Sequence, residues 1–180
     1  MIRLYQNARV IIEEDAMLFN SLAINGFEIQ DFALTHEVTF DESKVILKHL
    51  NEALYNPQWY VYGRFPVMTS EYCVVGGVLD GHDHCGRCSK ASYMLEDEMH
   101  ETYPLYLEPS VCRMHLLLPS PIYLLDETDT MLKNGIRIFK ISFLGADVLE
   151  IEQILEQLAQ NNYKFDRDLY SRGHFKKEIE

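Results

Sequence analysis

Gly135-Ile136-Arg137-Ile138-Phe139-Lys140-Ile141-Ser142-Phe143-Leu144-Gly145-Ala146-Asp147-Val148-Leu149-Glu150-Ile151 decides the reading of this chain. Ile136–Phe143 is rich in β-branched and aromatic residues, which suit a pleated, half-buried surface, and predicts a strand. From Asp147 to Gln160 the apolar residues Val148, Leu149, Ile151, Ile154, Leu155 and Leu158 recur at helical spacing and predict a helix that buries that face. A strand feeding directly into a helix is the repeating step of an α/β fold. Upstream the same step recurs. Val10-Ile11-Ile12 reads as a short buried strand, and Met17–Ile24 as a short helix stopped by Asn25-Gly26. Phe27–Leu34 alternates as a strand. Asp41 is placed to cap a helix whose face is Val45, Ile46, Leu47, Leu50, Ala53 and Leu54, running to Asn56-Pro57. Trp59–Met68 is β-prone, with Gly63 and Pro66 demanding a bend or an edge. Leu124–Lys133 predicts a helix ending at Asn134-Gly135.

Between these steps lies an irregular stretch, Thr69–Ser92, followed by a hairpin from Tyr93–Leu95 and Thr102–Leu107. The expected architecture is α/β: a partial, half TIM-like barrel of about four βα units with an inserted Cys-rich hairpin segment. It occupies residues 1–165, with a polar C-terminal tail over 166–180. Four units are too few to close an eight-stranded barrel, and bare sheet edges are a liability. The sheet is therefore open, or a second chain or a second copy completes it.

The 180 residues suffice for one domain with a real core, at 47 % hydrophobic and 24 % charged residues. The net charge of −12 disfavours free nucleic acid as a ligand of the isolated chain, because displacing counterions needs a basic footprint. The one basic cluster along the chain is Arg167, Arg172, Lys176 and Lys177. Apolar runs such as Met114–Leu118 are too short to span a bilayer, and the first residues lack the pattern of a secretory signal. The cytoplasm is the expected compartment, where reducing conditions discourage structural disulfides.

Four cysteines then read as metal ligands, redox groups or core filler. Their spacing is Cys73-x11-Cys85-x2-Cys88-x23-Cys112, and the middle pair sits in Gly81-His82-Asp83-His84-Cys85-Gly86-Arg87-Cys88. A C-x2-C turn lets two thiolates face one ion, with glycine allowing the tight backbone. One four-ligand site would use every cysteine. Zinc and an iron–sulfur cluster both accept four thiolates, and spacing does not separate them. A redox dithiol and unrelated thiols are the competing readings, and His82 or His84 could replace a cysteine.

Tyr62-Gly63-Arg64-Phe65-Pro66-Val67-Met68-Thr69-Ser70-Glu71-Tyr72-Cys73 resembles a signature segment of the collagenase-like peptidase family of unassigned mechanism, peptidase family U thirty-two. Further segments resemble that family in the same order: Cys85-Gly86-Arg87-Cys88, Tyr93-Met94-Leu95-Glu96-Asp97, Tyr103-Pro104-Leu105, Cys112-Arg113, Gly135–Ile141 and Ser171-Arg172-Gly173-His174-Phe175. Leu18-Phe19-Asn20-Ser21 matches upstream. The similarity runs over nearly the whole chain and corresponds to the second half of the family's barrel domain. It departs at Glu96-Asp97-Glu98-Met99 and at Pro119-Ser120-Pro121-Ile122.

The resemblance implies a [4Fe–4S] cluster, with zinc as the alternative, on Cys73, Cys85, Cys88 and Cys112. It also implies a part in oxygen-independent hydroxylation of RNA or of the ubiquinone ring, as in better-understood relatives. Other members have been called proteases. Arg64, Arg113 and His174 are candidates for tuning the centre or holding an anionic ligand, although arginines among 28 carboxylates also form ordinary ion pairs. The chain has no G-x-S-x-G and no H-E-x-x-H, and neither Ser70 nor Ser120 has a base beside it in sequence. A site closed by four thiolates suits structure or electron transfer better than hydrolysis. Collagenase-like peptidase activity and a non-catalytic, zinc-binding partner subunit are the alternatives.

Overall fold

The computed structural model describes residues 9–27, 29–51, 53–79, 86, 88 and 91–176. These form a mixed α/β fold with two sheets, neither closed into a barrel. By their contacts the residues divide into two units. The first takes the chain up to Tyr62, Ile122–Ile141 and the segment from Ser171. The second takes Gly63–Pro121 and Ser142–Tyr170.

In the first unit β1 (Ile11–Ile12), β2 (Asp31–Ala33) and β3 (Asn56–Gly63) run parallel in that order. Register pairs Phe32 with Pro57, and Gln58 with Ile138 of β9 (Ile138–Ile141), which is parallel to β3. A two-residue strand, β8 (Ile122–Tyr123), also joins β3. Parallel neighbours need a crossover, and helices α1 (Ser21–Phe27) and α2 (Phe40–Lys48) supply two of them. The helix α4 (Thr128–Lys133) precedes β9. The core is aromatic: Phe40 stacks on Phe175 at 4.8 Å, Trp59 meets Phe175 edge-on at 6.0 Å, and Tyr62 meets Tyr123 at 6.2 Å.

The second unit is built on an antiparallel sheet ordered β4 (Pro66–Ser70), β7 (Arg113–Leu117), β6 (Thr102–Glu108), β5 (Tyr93–Glu96). It also holds the helices α3 (Val74–Leu79) and α5 (Val148–Gln160). Pro66 opens an edge strand, where its missing N–H breaks no ladder. The β5–β6 hairpin forms as expected. Its turn is held by Asp97 Oδ1, which accepts the N–H groups of Met99 and Glu101.

Several local expectations need correction. Helix α1 starts four residues later than predicted, at Ser21, because the Asn20 carboxamide accepts the Ala23 N–H and Met17 turns left-handed at φ 50°. Strand β1 is not buried: Ile11 lies on the outermost strand and is 41 % exposed. Helix α2 is capped by Thr39, not Asp41. The Thr39 hydroxyl accepts the Glu42 N–H while the Glu42 carboxylate accepts the Thr39 N–H, a reciprocal box that satisfies two end groups. The helix stops at Lys48, so Val45 and Leu54 do not share one buried face. Helix α5 forms where predicted, with Asp147 as its cap, but of its apolar face only Ile154 is fully buried and Val148, Leu149 and Leu155 are exposed.

Candidate metal centre

The antiparallel pairing of the second sheet fixes where its cysteines emerge. Strand β4 ends at Ser70, which is opposite Met114 near the start of β7. Glu108, the last residue of β6, is opposite Arg113, and Tyr93, the first residue of β5, is opposite Leu105. Cys73 therefore follows β4, Cys112 precedes β7 and Cys88 precedes β5, all at one end of the sheet. Cys73 is buried with Val75, Leu107 and Met114, and Cys88 packs against that same cluster. Cys73 Sγ accepts the Gly76 N–H at 3.5 Å. Cys112 is exposed, in a turn at φ 54°, a left-handed conformation that re-aims the side chain. Three predicted ligands thus share one sheet end as free thiols. They do not close on a point: among the described residues no group of three or more His, Cys, Asp or Glu is placed to hold a metal. Cys85, His82 and His84 lie outside the described residues.

Arg113 bridges the two strands that carry Cys73 and Cys112. Its Nη2 and Nε donate to Glu71 Oε1 at 2.7 and 3.0 Å, and Glu108 lies 4.0 Å from Nη1. One residue along, His115 Nδ1 is 3.0 Å from Thr69 Oγ1, tying the same strand pair. Arg64 is engaged elsewhere in this unit. Its Nη1 donates to both carboxylate oxygens of Glu150, at 2.8 and 2.9 Å, with both side chains less than one-fifth exposed. The motif glycine before it, Gly63, sits at φ 139°, and a Cβ there would lie 2.5 Å from the Ser142 carbonyl oxygen. That close approach explains why the Tyr-Gly-Arg segment needs glycine.

His174 belongs to the first unit, where it lines a small cavity with His36, Tyr60, Arg172 and Phe175. Arg172 donates to both oxygens of Asp126, at 2.5 and 2.7 Å, and to the Tyr123 carbonyl. Its guanidinium holds the Asp126 carboxyl below the ordinary carboxylate value, against the opposing effect of burial.

Sequence reasoning missed a second constellation at the carboxyl ends of the parallel strands. Glu13 and Glu14 follow β1, His36 follows β2, and Tyr60 and Lys140 lie on β3 and β9. Lys140 is paired with Glu13 and sits 4.7 Å from the Tyr60 ring centre, while His36 Nδ1 meets Glu14 Oε2 at 3.0 Å. Burial pushes the Tyr60 hydroxyl up. Burial pulls Lys140 down, but its hydrogen bonds to Glu13 and Tyr60 outweigh that and leave it raised. The only signal in the chain is position: each residue falls at or just after the end of a predicted strand, where α/β folds collect their polar chemistry. These groups are mutually neutralised and enclose little space. Comparison of the chain with family profiles, curated proteins and solved structures returns no match.

Proposed function

We propose that this chain is an iron–sulfur protein similar to the collagenase-like peptidase family, with Cys73, Cys85, Cys88 and Cys112 as ligands of a [4Fe–4S] cluster, serving as a redox or hydroxylation component rather than as a peptidase. The observation that supports it most is the common sheet end shared by Cys73, Cys88 and Cys112. Cysteines separated by up to 39 positions in the chain have no packing reason to gather there together. When bound, such a cluster supplies one-electron transfer. The chain's own contribution is positional. The Glu71–Arg113 pair ties the segment before Cys73 to the segment after Cys112, and the Gly76 N–H donates to the Cys73 sulfur, a contact that tunes bound clusters.

In this reading β1, β2, β3 and β9 are half of a βα barrel, and a protein partner or a second copy of this chain covers the strand edge at β1. The exposure of Ile11 and the parallel order of the strands support it. Zinc would suit the same four thiolates, and the chain would then be a structural, non-catalytic partner subunit. Among the described residues no helix is long and apolar enough to cross a membrane. The test is purification without oxygen, followed by iron, sulfide and zinc analysis. About four irons and four sulfides per chain support the cluster. One zinc per chain replaces it with the structural reading, and a metal-free, folded chain removes both.

A further inference from the structure

The first unit has a cavity of about 230 Å³ at the amino-terminal ends of β3 and β9. It is lined by four cations, Lys44, Lys48, Lys133 and Arg137, over a floor of Leu47 and Leu50, and no carboxylate lines it among the described residues. In a chain of net charge −12 this is a local reversal of sign. Most cations elsewhere are held by a carboxylate: Arg9 by Asp31, Arg64 by Glu150, Arg113 by Glu71, Lys140 by Glu13, Arg172 by Asp126 and Lys176 by Glu127. Lys44 is the one lining cation with such a pair, to the exposed Asp41.

The plain explanation is that lysines in the last turns of α2 and α4 complement the helix dipoles. It does not account for the arrangement. The carboxyl ends are already capped by backbone and amide groups: His49 N–H donates to Ile46 and Leu47, Leu50 N–H to Leu47, Gly135 N–H to Leu132, and the Asn134 amide to Thr130. Each dipole end amounts to roughly half a charge, against four cations. Moreover, Lys44 lies in the body of α2, and Arg137 sits at the entry to β9, outside either helix.

We propose that this cavity binds a small polyanion, the phosphoryl or diphosphoryl group of a metabolite. Four cations converging on one concavity match that charge, and Arg can engage a phosphate with two parallel donors. The volume lies below the roughly 300–1,000 Å³ of sites for drug-sized ligands, so the charged group itself fills it. The site is independent of the metal centre and stands or falls without it.

The probe is inorganic pyrophosphate, titrated calorimetrically into the full chain in metal-free buffer. Binding is expected, weakening as salt rises. The K48Q/K133Q variant is expected to lose at least tenfold in affinity, and Arg167→Gln, an equal charge change outside the cavity, to lose less than twofold. Both lysines are exposed, so the variant keeps its fold, checked by circular dichroism; Lys44→Gln repeats the test from the body of α2. No heat up to millimolar pyrophosphate overturns the proposal, as does binding that the cavity variants leave unchanged or that Arg167→Gln weakens equally.

Discussion

Gly63 combines a left-handed backbone with a neighbour at 2.5 Å from any added Cβ. Gly63→Ala should therefore cost about 1–3 kcal/mol, read from urea denaturation midpoints. Cys88→Ala should abolish metal binding and much of the stability with it, because ligand binding energy is folding energy in such sites; metal analysis showing full retention would remove Cys88 from the ligand set. Asp126 gives a pH prediction. Its folded pKa is depressed by Arg172, so its stabilising effect is present above the ordinary value of 3.8 and disappears as pH falls through the lower folded value. Arg172→Gln should flatten that acid-side loss in thermal melts below about pH 4. The cysteines stood out in the sequence because thiols are rare and a C-x2-C turn is local. The Arg172–Asp126 pair was illegible, since 46 positions separate two ordinary surface residue types.

Helices and strands were legible to the extent that local patterns decide them. Strand β9 and helix α5 formed where an apolar run followed by helical periodicity put them, and the β5–β6 hairpin formed from its alternation. Helix starts were misread where two capping side chains competed. Thr39 prevails over Asp41 because Glu42 lies three residues on and can return the bond. Thr39→Ala should accordingly lower stability by about 1 kcal/mol, measured against Asp41→Ala, which should change it far less. The burial of α5 could not be read from periodicity. An apolar stripe states that a face can be covered, not that this chain covers it, and Val148 and Leu149 remain exposed. The gathering of Cys73, Cys88 and Cys112 depended on strand pairing in the second sheet, which no local pattern encodes.

For the whole molecule, the partner proposal makes a hydrodynamic prediction. If a second copy covers the β1 edge, the purified chain sediments as a species heavier than 21.0 kDa, and an Ile11→Lys substitution returns it to monomer. A monomer at all concentrations leaves a different protein as the partner. The division into two units has one more consequence. The chain passes between them four times, at 62–63, 121–122, 141–142 and 170–171. Phe175, which stacks on Phe40 and Trp59, belongs to the last stretch of the first unit. A ribosome making this protein releases the beginning of that core long before its end. The early segments must wait, incomplete, until synthesis is almost over, and a message cut short by even a dozen codons yields a chain whose first-made unit cannot finish folding.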